Sequence, residues 1–184
     1  MKQYITRLVE IDMGHRVMDE RFKCSSVHGH RAKIELHFEF HQQQEIGYAI
    51  DFKEIKRIGC QWIDDMLDHG FVANPQDSAM IEACQKTQSK LYLMSLNGEG
   101  NYCNPTAENI AREIFMAMQI LFQGFDDLKI HQLRYYETPN CWVDTYEASL
   151  IQHEKESFLN YRGKQINDYA QEKGKVEYDA RKNI

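Results

Sequence analysis

The chain has 184 residues, of which 42% are hydrophobic and 27% charged, and a formal net charge of −6 at pH 7. That usage excludes wholesale disorder, and the length suits one domain with room for an insertion or a tail. The acidic balance argues against a general nucleic-acid binder, which would carry a basic stripe, and no window approaches the ~18 apolar residues of a membrane helix. The first residues, MKQYITRLVEIDMGH, lack an apolar core followed by small side chains, so no secretory signal is expected. Cysteines stand at 24, 60, 84, 103 and 141, an odd number with no CxxC spacing. Reduced thiols in a cytoplasmic protein are the expectation.

The segment from Gln3 to Asp12 reads as a strand, with β-branched Ile5, Thr6, Val9 and Ile11. A polar stretch runs from Arg16 to Val27. Ala32, Ile34, Leu36, Phe38 and Phe40 then alternate with Lys33, Glu35, His37 and Glu39, the period of a half-buried strand. A turn follows at 42–47. Asp51 opens a helix, with Glu54 three residues on as in a capping box. Phe52, Ile55, Gly59, Trp62, Ile63 and Met66 recur at helical spacing, and the helix should end near Leu67–Gly70. A small residue at 59 would allow close packing.

The middle is less patterned: 76–88 is compatible with a helix, 91–94 with a short strand, 97–101 with a turn. A second helix begins at Thr106, directly after Pro105. Ala111, Ile114, Phe115, Met118, Leu121 and Phe122 line one face, and Gly124 marks the stop. Strands at 129–138 and 141–149 flank Pro139-Asn140 and read as a hairpin. The order β–β–α–α–β–β predicts an α+β domain, an antiparallel four-stranded sheet with two helices on one face. From 152 to 184 the chain is dense in charge, with scattered Phe158, Leu159, Ile166 and Tyr169, and reads as a helical or loosely ordered tail packed on the outside.

The candidate chemistry centres on His15 and on Cys24-Ser25-Ser26-Val27-His28-Gly29-His30. Residues two apart in an extended chain share a face, so His28 and His30 can aim at one metal. If the strand starts at 28, they share the inward face of Ala32, Ile34 and Leu36, and a hairpin would bring His15 alongside. Three imidazoles with one open position is the arrangement of a catalytic zinc site. An HxH pair by itself is weak, because single histidines are commonly surface or core residues. Cys24 is either an inert thiol or a thiolate stabilised by a nearby cation and able to act as base or nucleophile. Asp68-His69 is either a helix terminus, its imidazole on the last carbonyls, or a pair for proton transfer. Glu137 is either a solvated strand-end carboxylate or the acceptor of two parallel hydrogen bonds from a guanidine-like heterocycle.

Together these pieces resemble the 6-pyruvoyltetrahydropterin synthase family. The resemblance spans about residues 4 to 150, omitting much of 71 to 103. It rests on Gly14-His15-Arg16, Cys24-x-x-x-His28-Gly29-His30, Ile50-Asp51-Phe52, Leu67-Asp68-His69, Asn104-Pro105-Thr106-Ala107-Glu108-Asn109 and Tyr136-Glu137-Thr138, in the family's order. The three residues between Cys24 and His28 look like the bacterial 6-carboxytetrahydropterin synthases of queuosine biosynthesis; the pyruvoyl-forming enzymes typically have a longer gap. The resemblance implies a tunnelling fold in residues 1–151, with an insertion at about 71–103 and a charged C-terminal extension at 152–184. It also implies a homo-oligomer built from trimers that stack as a hexamer, with active sites between subunits. The implied cofactor is Zn2+, held by His15, His28 and His30. The implied reaction converts 7,8-dihydroneopterin triphosphate to 6-carboxytetrahydropterin with release of acetaldehyde and triphosphate. In that scheme Cys24 matches the thiol that takes up a proton, Asp68 and His69 match its relay partners, and Glu137 matches the pterin anchor. Thr106 and Glu108 fall in the helix-start motif near the pterin.

The nearest rival is triphosphate elimination to the pyruvoyl product, which uses almost the same residues. A non-catalytic pterin- or purine-binding protein would need neither Cys24 nor the Asp68–His69 pair. A structural metal protein would need a fourth protein ligand.

Overall fold

Alternating apolar and polar side chains build two long antiparallel strands, β1 (Gln3–His15) and β2 (His28–Phe40). Their register runs unbroken from Gln3↔Phe40 to His15↔His28. Ile11 and Met13 of β1 and Ala32, Ile34, Leu36 and Phe38 of β2 are buried on one face. The structure, a computed structural model, describes residues 1–96 and 103–178. Both strands outrun the apolar stripe that predicts them: β1 continues past Asp12 to His15 and β2 starts at His28. The same alternation carries on there with histidines in place of aliphatic side chains.

Asp51 accepts from the backbone N–H of Lys53 at 2.9 Å and caps α1 (Phe52–Ile55), as its position before the apolar run predicts. A π turn at Lys56–Cys60 leads into α2 (Gln61–Leu67), so the three pieces form one helical stretch. Gly59 lies in the π turn. A Cβ there would come within 3.1 Å of both Met118 Sδ and Phe122 Cε2, which is why the two helical layers meet at a residue without one.

The four-stranded antiparallel expectation needs correcting. β3 (Gly70–Ala73) and β4 (Lys90–Leu93) join the sheet in parallel, flanking α3 (Ser78–Thr87). The sheet is mixed and six-stranded, in the order β4-β3-β1-β2-β5-β6. β3 pairs with β1 only from Met13↔Gly70 to His15↔Val72. The segment Gly-Phe-Val-Ala is covered on both faces and shows no alternation, which hides it from a period-two reading. Val72 and Tyr92 belong to the main core, whereas Phe71 and Ala73 pack with Cys84, Met80 and Leu93 in a small separate cluster under α3. The helices therefore cover both faces at this edge. The turn expected at 97–101 lies outside the described residues.

Thr106 caps α4 (Ala107–Leu121) by accepting from the N–H of Asn109, and the helix ends at Leu121, short of Gly124. β5 (Lys129–Thr138) and β6 (Cys141–Tyr146) form the second hairpin, and Glu147–Ser149 is a 3-10 turn rather than more strand. Beyond it, α5 (Gln152–Phe158), a second π turn (Leu159–Gly163) and α6 (Lys164–Tyr178) pack against α4 and the α1–α2 stretch. Phe158 and Ile166 are buried in the main core. Among the described residues no helix is long and apolar enough to cross a membrane.

One buried ionic cluster fastens this C-terminal part. Glu113 of α4, 1% exposed, accepts from Tyr92 Oη at 2.6 Å, from Ser95 Oγ and the Leu96 N–H at 3.0 Å each, and from the Ser95 N–H. Arg162 brings its Nε to 3.8 Å from the same carboxylate and lies 3.9 Å over the Tyr92 ring. Its Nη2 donates to the Leu93 carbonyl. Removing one partner of a buried pair strands the other charge, which costs about 3 kcal/mol or more. Arg162→Ala should therefore lower the urea midpoint by that equivalent, whereas Lys164→Ala, on an exposed i,i+4 pair with Asp168, should shift it by less than about 0.5 kcal/mol.

Candidate metal centre

The β1–β2 register sets His15 directly opposite His28 and Met13 opposite His30, so all three imidazoles emerge on the core face at one end of the sheet. One ligand atom from each lies within 4.8 Å of the others. His15 is 1% exposed and His30 partly buried.

Hydrogen bonds define the ring orientation. His15 Nδ1 lies 2.7 Å from the carbonyl oxygen of Pro105, and His28 Nδ1 lies 2.7 Å from that of Ser26. A carbonyl only accepts, so each Nδ1 carries the proton and each Nε2 presents a lone pair. Among the described residues, the buried Nε2 atoms of His15 and His30 have no hydrogen-bond partner. What faces them is a carboxylate: Glu137 Oε1 sits 3.5 Å from His15 Nε2 and 4.0 Å from His30 Nε2. The His15 lone pair and a carboxylate repel unless a cation lies between them. Burial pushes the His15 pKa down; the Pro105 carbonyl and the Glu137 charge oppose that only in part. The uncharged ring that results is the form a metal requires. The donor set thus fits a divalent ion of borderline softness such as zinc. A carbonyl accepting from Nδ1 is the usual way of fixing a ligand imidazole.

Gly29 separates the two β2 histidines. A Cβ there would meet the Met13 carbonyl oxygen at 3.0 Å, a backbone atom that cannot swing aside. The bare position lets β1 and β2 close up where the ligands project.

Glu137, the residue before the last of β5, borders a cavity of ≈ 530 Å³ that His30, Arg31, Lys33 and Tyr136 also line. The Asp68–His69 pair closes α2. Asp68 Oδ1 accepts from the Asp12 N–H at 2.8 Å, Oδ2 is 2.6 Å from His69 Nδ1, and the His69 N–H donates to the Asp12 carbonyl at 2.7 Å. His69 adopts φ +53°, a left-handed conformation that histidine tolerates better than most side chains. The hydrogen bond to Asp68 and then its charge raise the His69 pKa. Burial pushes Asp68 upward, but the Asp12 N–H, His69 and Lys90 outweigh it and hold the carboxyl below its ordinary value. His69 shares a shallow depression with His28 and His30.

Cys24 is exposed on the 3-10 turn Lys23–Ser25, outside the trio of converging ligand atoms. Thr106 caps α4 and Glu108 is exposed on its first turn; the contact to the histidines comes from Pro105, the residue before them. The carbonyls of Pro105 and Ser26 and the N–H of Asp12 escape a reading by side-chain type, because backbone groups carry no signature. Only the Asn104-Pro105-Thr106 motif flags one of them.

Residues 4–148 match the family described as 6-pyruvoyl tetrahydropterin synthase. The chain belongs to that family. It is 38% identical over 146 residues to the 6-carboxy-5,6,7,8-tetrahydropterin synthase of Rickettsia felis, covering 76% of this chain and 96% of the relative. The protein of the same name from Haemophilus influenzae is 28% identical over 149 residues, covering 78% and 98%. An uncharacterized protein from Wolinella succinogenes superposes with a TM-score of 0.62 at 20% identity over 80% of this chain and 99% of its own. The 6-pyruvoyl tetrahydropterin synthase of Caenorhabditis elegans superposes with 0.55 at 15% identity over 79% and 96%. The fold is therefore the tunnelling fold of this family, here with two added parallel strands. Helices α5 and α6 follow the matched region.

Two substitutions separate ligand loss from crowding. His28→Ala should abolish stoichiometric metal binding, measured by elemental analysis after dialysis. Gly29→Ala keeps every ligand but forces the strands apart, and should weaken metal affinity about tenfold or more, in line with the effect of disturbing ligand orientation. Full metal retention in both variants would contradict the assignment.

Proposed function

We propose that this chain is a zinc-dependent lyase, a 6-carboxytetrahydropterin synthase acting on 7,8-dihydroneopterin triphosphate in queuosine biosynthesis. The observation that carries the reading is the convergence of the His15, His28 and His30 imidazoles, one ligand atom of each within 4.8 Å of the others, beside Glu137 and an open cavity. The three-residue gap between Cys24 and His28, and the names of the relatives above 30% identity, favour the carboxy product over the pyruvoyl one.

His15, His28 and His30 would hold the zinc, which when bound supplies Lewis acidity toward the substrate's side-chain hydroxyls. Glu137 would receive the amino and ring N–H donors of the pterin and fix its orientation. His69, its Nδ1 taken by Asp68, presents Nε2 for proton transfer. Cys24 takes up a proton from the side chain. Loss of triphosphate, addition of one water to the side-chain carbonyl and retro-aldol-type cleavage of the carbon–carbon bond beside it then leave the carboxylated pterin and acetaldehyde. Thr106 and Glu108 serve the pterin pocket through the start of α4.

Catalysis would take place in a cytoplasmic homo-oligomer of trimers, a hexamer when two stack. β3 covers only Met13–His15 of the β1 edge, so the rest of that edge and the outer edge of β6 remain for pairing between subunits. A monomer by light scattering at micromolar concentration would contradict this.

Two measurements test the chemistry. Zinc-loaded protein incubated with dihydroneopterin triphosphate should give the mass of 6-carboxytetrahydropterin and stoichiometric acetaldehyde; the pyruvoyl mass would assign the other reaction. Glu137→Gln replaces one acceptor by a donor at constant shape. It should raise the dissociation constant of a non-reactive pterin roughly 30-fold, about 2 kcal/mol, with zinc content unchanged. Wild-type affinity would make Glu137 an ordinary strand-end carboxylate.

A further inference from the structure

The loop from Arg16 to Val27 carries Cys24 and joins the two histidine-bearing strands. Three consecutive residues at its base are each tied down. Arg16 donates from Nε and Nη2 to the two carboxylate oxygens of Asp77, at 2.6 Å each. The Val17 N–H donates to the carbonyl of Cys24 itself at 2.8 Å. The Met18 N–H donates to Asn104 Oδ1 at 2.9 Å, an oxygen that also accepts from Asn74 Nδ2 at 3.1 Å.

Asp77 and Asn74 both lie between β3 and α3, in the segment that widens the sheet. Asp77 is 1% exposed and Asn74 equally buried. The Asp77 N–H donates to the Asn74 carbonyl at 2.9 Å, so the Asp77 acceptor and the Asn74 donor sit on one braced turn. Asp77 has a second task, accepting from the Met80 N–H as the cap of α3. A helix cap needs no guanidinium. A buried carboxylate in bidentate contact with an arginine next to a candidate ligand is more than a cap requires, and such forks fix direction as well as distance.

We infer that Asp77, braced by Asn74 and Asn104, is a positioning residue that clamps Arg16 and so holds the Cys24 loop in register with the metal centre. The segment between β3 and α3 then contributes to turnover without touching substrate. This inference rests on the proposed role of Cys24.

Asp77→Asn separates the two tasks, because asparagine caps helices as well as aspartate but cannot accept both guanidinium bonds. Arg16→Lys breaks the fork from the other side and retains the charge. Both variants should keep full zinc and lose about tenfold or more in kcat with KM within about threefold, as misplacing a reacting group does. Amide exchange of the peptide covering 16–27 should rise severalfold while that of α4 stays unchanged. Alkylation of Cys24 by iodoacetamide, counted against exposed Cys141 as internal reference, should change by the same order in both variants. The double variant should be no worse than the worse single one.

Wild-type exchange and alkylation in Asp77→Asn and Arg16→Lys would overturn the inference. So would loss of zinc with unaltered exchange at 16–27, which would assign the fork to His15 instead. The exchange and alkylation readouts hold even for a protein that turns over no pterin. Failure of the functional reading would show as an inactive wild type, and failure of the clamp as unaltered loop behaviour in an active one.

Discussion

A one-residue slip between β1 and β2 would turn His28 and His30 to the opposite face of the sheet and leave His15 alone on the core side. The whole centre depends on that register, because strand side chains alternate and no loop adjustment can compensate for a change of face. The register is held by the apolar pairs below the site. Ile11 lies opposite Ala32 and Val9 opposite Ile34. Ile11, Ala32 and Ile34 are each no more than 2% exposed. Slippage would expose that set to water at roughly 1.5–3 kcal/mol for each large side chain. The placement of the three imidazoles is thus inherited from apolar side-chain packing. Gly14 opposite Gly29 lets the strands stay close where the apolar pairs end and the imidazoles begin.

Electrostatics then sets what the end of the hairpin can hold. With Nδ1 of His15 committed to the Pro105 carbonyl, its lone pair and the Glu137 carboxylate point at one another. Such an arrangement is costly empty and favourable around a cation. The same carboxylate faces a cavity flanked by Lys33, whose ammonium lies 4.4 Å over the Tyr136 ring. A ligand entering that cavity meets a carboxylate suited to N–H donors and two cations, Arg31 and Lys33, suited to anionic groups.

Much of the fold is legible wherever one periodicity and one terminus signal agree. The alternation at Ala32–Phe40, the cap at Asp51 and the cap at Thr106 all appear where local chemistry places them. The HxH pair was legible as well, since extended geometry alone puts both rings on one side. β3 was not, because a strand buried on both faces loses its period and four residues carry too little pattern. Nor was the partner of Arg16. A fork between residues 61 positions apart is a tertiary fact, and Asp77 read by itself only announces a helix start. Arg162 gives the same lesson: in a charge-dense tail it looks like one more solvated cation, yet it is the residue that enters the interior to reach Glu113.

These long-range contacts converge on α4. Its first turn is preceded by Pro105, whose carbonyl orients His15, and by Asn104, whose side chain holds Met18 and Asn74. Farther along, Glu113 gathers Tyr92, Ser95 and Leu96 after β4 together with Arg162 from the C-terminal helices. A buried helix is stiff over such a distance, so the parts flanking the hairpin are joined to the histidines through one rigid element rather than through loops. The segment 70–96 is fixed at both of its ends in this way, by Asp77 to the Cys24 loop and by Ser95 and Leu96 to α4. Mobility allowed at either end would reach Arg16 and Pro105, the two neighbours that hold the candidate ligand His15 and the loop after it in place.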